Sequence, residues 1–220
     1  MQSHEFWVFI HILLFVYWLG ADLGVFVLAR RAKDPALGFP QRSLLLEMAM
    51  KIDFTPRIAF VLMLPVGVQL AWNLGLLHPS ALLPAITWVV AGLWLALVLV
   101  LARNPAASPL LHRLLSTWLM VLAALMFAAS AMGMWTDALA SAPWLSGKLA
   151  LYGVICLLAL GIDYAFKPVG AGFAELAEHG TSEQLEARIS AGIDATIRVV
   201  VALYVALLLA AFLGTVKPLG

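Results

Sequence analysis

The sequence predicts an all-α membrane bundle, a polytopic chain of six transmembrane helices with both termini on the non-cytoplasmic side. Three observations carry that expectation. Apolar residues make up 64% of the chain against 11% charged, with a mean hydropathy of +1.00. That balance leaves too few charges to cover a water-soluble domain of 220 residues. Six stretches reach the length of about 20 mostly apolar residues that crossing hydrocarbon requires: 6–28, 57–77, 82–102, 113–135, 145–166 and 196–216. Lysine and arginine are also segregated. Eleven of the thirteen lie between, or at the facing edges of, spans 1 and 2, 3 and 4, or 5 and 6, leaving Lys148 and Lys217 on the opposite side. By the positive-inside rule both termini then face away from the cytoplasm, in a bacterial-type inner (plasma) membrane.

The first span reads FWVFIHILLFVYWLGADLGVFVL. It has no basic leader and is too long for a signal-peptide core, so it is expected to be retained. Asp34-Pro35 and Phe39-Pro40 punctuate the break that follows. Arg42–Asp53 (RSLLLEMAMKID) has an amphipathic pattern, suited to lying along the surface or to continuing the adjacent span. The second span opens at Arg57 and holds Pro65, expected to kink it. His78-Pro79, then Asn104-Pro105 with Ser108-Pro109, then Ala142-Pro143 mark the next three breaks, and Lys167-Pro168 with Gly170 and Gly172 closes the fifth span. A second amphipathic segment, Gly172–Ala191, places Glu175, Glu178, Glu183 and Glu186 on what reads as a solvated face. With no repeat and no low-complexity tract, residues 1–220 read as a single integral membrane domain.

On the first span His11, Trp18 and Asp22 fall within about 20° of one another, with Asp22 about 16 Å further along the axis than His11. An ionisable group in hydrocarbon costs about 2.5–3.5 kcal/mol on the insertion scale, so such a face turns toward a partner, a cofactor or a polar cavity. His4, Glu5, His78, Asp137 and Lys148 gather toward the outer side. Lys148 lies a few residues inside its span, so His11 and Lys148 are expected at similar depth on neighbouring helices. A buried imidazole suits an axial bond to haem iron. Trp7, Trp18, Trp135 and Trp144, with Phe6 and Phe15, would line an apolar pocket for a tetrapyrrole or form an interfacial belt. The second ligand stays open between His78 and Lys148. The bland readings are a histidine bonded to neighbouring backbone and a lysine anchored at the interface.

Toward the inner side, Asp22, Asp163 and Arg57 suggest either a charge cluster tying three helices together or, in Asp22, a proton relay toward His11. Met120, Met126, Met132 and Met134 form a thioether group of the kind that favours Cu(I), or serve as core packing beside a seam of Ala124, Ala128, Ala129 and Gly133. Cys156 stands alone in an apolar span, so no intrachain disulfide forms. Metalloprotease, hydrolase and phosphate-loop motifs are missing, as is any basic nucleic-acid patch.

Three segments resemble the superfamily of HemJ-type protoporphyrinogen oxidases and CopD-type copper-resistance membrane proteins. HILLFVYWLGADLGVFVLAR is similar to its opening helix, with His11 followed by Trp18. LEMAMKIDFTPRIAFVLMLPVGVQLAW is similar to its second helix, through Glu47, Lys51, Thr55, Pro56 and Gly67. PWLSGKLALYGVICLLALG carries Trp144, Lys148 and Leu149 of its W-x-x-x-K-L helix. The chain looks like a divergent member with two extra helices, spans 3 and 4. The resemblance implies a functional pair, His11 and Lys148, associated with haem b or porphyrin.

The expected function is therefore an integral membrane protein binding haem b or a tetrapyrrole, for electron transfer or porphyrin oxidation. His11 would be ligand or proton acceptor, Lys148 a second ligand or a partner for a propionate, and Trp18 and His78 further lining. Copper transport through His4, His11, His78, Met132 and Met134 is the alternative, and a structural or assembly subunit is a third. The expected partners are the lipid bilayer and a membrane redox partner or larger complex, with a homo-oligomer left open and no nucleic acid.

Overall fold

The computed structural model describes residues 2–77, 80–104, 108–136, 139 and 141–218, with side chains from His4 onward. His78 and Asp137, both named as outer-side candidates, lie outside the described residues. Every regular element among those described is a helix: α1 (Gln2–Ala32), α2 (Phe39–Asn73), α3 (Leu82–Arg103), α4 (Pro109–Trp135), α5 (Pro143–His179) and α6 (Glu183–Val216). All six are long and apolar enough to cross a membrane.

Three helices exceed the requirement by far. A rise of 1.5 Å per residue makes the 37 residues of α5 about 55 Å long, against a hydrocarbon core of about 30 Å. The 35 residues of α2 and 34 of α6 give similar lengths. The excess comes from the amphipathic segments. Arg42–Asp53 is the first part of α2, which runs on through Pro56 and Pro65, so Arg57 lies mid-helix instead of opening the span. Gly172–His179 continues α5 through Pro168, so Lys167-Pro168 ends nothing. The break falls at Gly180, whose φ of 76° is the left-handed region that glycine enters without Cβ strain. Ser182 then caps α6, accepting from Leu185 N at 3.2 Å. Proline stops a helix only where nothing compensates the lost hydrogen bond, and glycine with a serine cap supplies the stronger signal here.

The chain divides into two compact units, Met1–Val25 with Met50–Leu115, and Phe26–Ala49 with Ser116–Gly220. In the first, α1 and α2 run antiparallel in a register that can be followed contact by contact. His11 Cε1 lies 3.9 Å from where a Cβ on Gly67 would stand. Seven residues on along α1 and seven back along α2, the rings of Trp18 and Phe60 sit 5.1 Å apart. Further along, Gly24 faces Ile52.

In the second unit α5 and α6 form the main antiparallel pair. Gly172 faces Ile189, Gly192 faces Val169, Gly161 faces Val199 and Gly147 faces Leu213, so a small residue meets a branched one at each level. Around the first two levels Ala32, Leu46, Phe173, Leu176, Leu185 and Ile193 complete a buried core. The extended helix ends thus pack on one another, as the bland reading of the amphipathic segments expected. Glu186 belongs to that packing and not to a solvated face, since its carboxylate pairs with buried Arg42 at 2.7 Å. On α4 the buried positions are Leu119, Leu122, Ala123, Ser130 and Gly133. Ala124 and Ala128 of the expected seam are exposed. Met132 and Met134 are 64% and 70% exposed, so they are neither core packing nor part of an inward thioether group. Ser130, whose Oγ donates to Ser146 O at 2.8 Å, faces α5, and Met132 two residues on falls on the opposite side of α4.

Candidate functional site

The face of α1 that carries His11, Trp18 and Asp22 is the one α2 covers. Trp18 is 3% exposed and Asp22 5%, and His11 is half-buried. Glycine at position 67 lets the imidazole approach the α2 backbone. Aromatic rings bracket it along the axis. Trp7, one turn toward the N-terminus, lies against Trp88 of α3 with centroids 5.7 Å apart. Toward the other end Trp18, Phe60 and Trp94 join α1, α2 and α3 in a continuous stack, with 5.1 and 5.0 Å steps. Each contact adds about 0.5–1.5 kcal/mol beyond area burial. The imidazole is thus held on a rigid aromatic frame with two large apolar surfaces within one or two turns. Trp88 and Trp94 were missed in the sequence, because nothing in a third span of uniform hydropathy shows which face meets α1.

Asp22 lies at the far end of this frame. Its Oδ2 is buried, with no hydrogen-bond partner among the described residues. The charges of Asp53 and Arg57 act on it, and those two pair with each other at 2.5 Å. Asp53 is the residue that sequence reasoning left out of the inner cluster, although its i,i+4 spacing to Arg57 was legible. Opening the second span at Arg57 had left Asp53 outside it. Asp163, expected in the same cluster, belongs to α5 in the second unit.

A buried carboxylate oxygen without a donor is costly when ionised. Asp22→Asn is accordingly expected to keep the melting temperature within about 2 °C of the parent, a shift of under about 1 kcal/mol for a chain of this size. A loss of 5 °C or more in a thermal scan would assign Asp22 to a structural tie instead.

Lys148 stands on the second turn of α5. Its Nζ occupies space that a side chain at Gly214 of α6 would need, since a Cβ there would come within 2.6 Å of it. Lys217 acts on it electrostatically and itself lies over the Trp144 ring, 5.1 Å from the centroid. Among the described residues no acceptor pairs with Lys148. Its setting is therefore a cationic end of α5 and α6, suited to an anionic group such as a carboxylate.

No family model, curated protein or solved structure matches this chain. The chemistry of the site thus rests on the residues themselves. Among the described residues no group of three His, Cys, Asp or Glu side chains could hold a metal ion. A haem asks less of the protein, one or two axial ligands and an apolar, flat-walled surround. The half-buried His11 between its aromatic neighbours in the first unit fits that demand, whereas Lys148 stands on α5 in the second unit.

Proposed function

We propose that this chain is a multi-pass inner-membrane protein, with both termini on the non-cytoplasmic side, that binds haem b or a related tetrapyrrole for electron transfer or porphyrin oxidation. The observation that carries this reading is the seating of His11 against Gly67, with the Trp7–Trp88 pair on one side and the Trp18–Phe60–Trp94 stack on the other. His11 is the axial ligand or, toward a porphyrin, the proton acceptor. A part for Lys148, which stands in the second unit, rests on the resemblance to HemJ-type and CopD-type proteins alone. Asp22 holds a proton at the inner end of the same α1 face. The group when bound supplies one-electron chemistry, and the protein supplies orientation, exclusion of water and proton positions. Copper transport draws less support, because Met132 and Met134 stand on the exposed face of α4.

Four tryptophans close to His11 give a direct readout. Titrating the detergent-purified protein with haemin or protoporphyrin is expected to quench tryptophan emission to a one-to-one end point. His11→Ala should weaken the haemin titration by about tenfold or more, since a lost ligand bond is worth at least the 1.4 kcal/mol of one decade. Quenching without saturation, or the same end point with cuprous ion and not with a porphyrin, would contradict the proposal.

A further inference from the structure

At the junction of the α1 end with the α6 start, the second unit holds a groove of about 830 Å³. Its charges are accounted for almost completely by internal pairs. Arg31 pairs with Asp34, Lys33 with Asp194 and Glu186 with Arg42. Two lining charges remain, Arg30 from α1 and Glu183 from the first turn of α6. Both are exposed, and neither has a hydrogen-bond or ion-pair partner among the described residues. Below them the wall is apolar, formed by Phe26 and Val27. These belong to the last turn of the apolar run of α1, whereas Arg30 begins its polar end. The groove therefore straddles the level at which hydrocarbon gives way to headgroups.

We infer that this groove seats one phospholipid with an ethanolamine headgroup, its phosphate on Arg30, its primary ammonium on Glu183, and its upper acyl carbons along Phe26 and Val27. The assignment follows from charge complementarity. One cation and one anion outside the internal pairs, both lining a groove whose wall includes Phe26 and Val27, match a ligand that carries one phosphate and one N–H donor cation on a hydrocarbon tail. A headgroup with phosphate alone leaves Glu183 without a partner and facing like charge. A choline headgroup carries the positive charge but no N–H to donate. The volume lies in the range of sites that enclose small ligands. This site is independent of any haem and stands or falls separately from the function proposed above.

The test is native mass spectrometry of the full chain after delipidation in detergent, titrated with ethanolamine, choline and glycerol phospholipids of identical acyl chains. One ethanolamine lipid is expected to be retained about tenfold more tightly than either competitor, the margin of a single charge-assisted hydrogen bond. Glu183→Gln should bring ethanolamine down to the level of the glycerol lipid, and Arg30→Gln should weaken all three. Equal retention of the three lipids by the unsubstituted chain, tighter glycerol lipid, or unchanged selectivity in both variants would overturn the assignment. The preference of the unsubstituted chain needs no variant to be read, and neither side chain makes a contact in the fold whose loss would unfold it.

Discussion

Replacing Arg42 by alanine is expected to cost about 3–5 kcal/mol of stability, the range for removing one member of a buried charge pair. At 2% exposure Arg42 is the largest fully buried side chain among the described residues. Its Nε donates to Ala32 O at 2.8 Å, its Nη1 to Glu186 Oε1 at 2.7 Å, and its guanidinium lies 5.2 Å from the centre of the Phe173 ring. One side chain on α2 thus fastens the end of α1, the extended end of α5 and the start of α6. Alanine would empty that volume and leave the Glu186 carboxylate without its cation. A thermal scan in detergent should show a fall of roughly 10 °C, given about 2–4 °C per kcal/mol at this size. A change below 2 °C would mean that these helix ends hold together without Arg42.

The same pair sets an acid-side dependence. Glu186 lies on the polar extension of α6, ahead of its apolar span. The hydrogen bond from Arg42 holds its carboxyl below the ordinary value of 4.5, against the opposing effect of burial and with help from the Thr181 hydroxyl and the Arg42 charge. A depressed folded value means that the unfolded chain binds the proton more tightly. The contribution is therefore complete above about pH 4.5 and is lost as pH falls through the lower folded value. Glu186→Gln should flatten the melting temperature over that acid range while leaving the protein folded at neutral pH.

Gly192→Leu is the second large effect. A Cβ at this position would stand 2.8 Å from Val169 Cγ2 and 3.6 Å from Val169 N, with Pro168 Cβ at 3.8 Å, and the neighbouring backbone cannot yield as a long side chain would. Leucine improves helix propensity by roughly 1 kcal/mol over glycine. Overpacking at a close helix crossing costs up to about 3 kcal/mol, so the net expectation is a loss of about 2 kcal/mol. Gly170→Ala is the matched control. Nothing lies within 4 Å of a Cβ at Gly170, so propensity alone acts and the melting temperature should hold or rise. If both substitutions behaved alike, the α5–α6 crossing would not depend on the small residue at 192.

The existence of six spans was legible because it depends on local hydropathy, and so was the shared face of His11, Trp18 and Asp22, which follows from helical periodicity alone. What covers that face was not legible. Gly67, Phe60 and Trp94 reach it from elements 30 residues or more away in sequence, and uniformly apolar spans carry no moment to orient them. Arg42 and Glu186 pair across 144 positions, and Glu186 was read as part of a solvated face. Lys167-Pro168 was weighted as a stop, although α5 runs through it, while Gly180 with Ser182 carried the true stop. The exposure of Met132 and Met134 was not legible, because nothing in the sequence of α4 shows which of its faces meets α5.

The most direct test of the central claim is an oxidised-minus-reduced absorption spectrum of the protein purified from cells with ample haem supply, recorded beside His11→Ala. A b-type α-band in the parent that disappears in a folded His11→Ala variant is the expected result, and Lys148→Met should then shift the band or weaken haem retention. A colourless parent, or a band that His11→Ala leaves unchanged, would contradict haem ligation by His11.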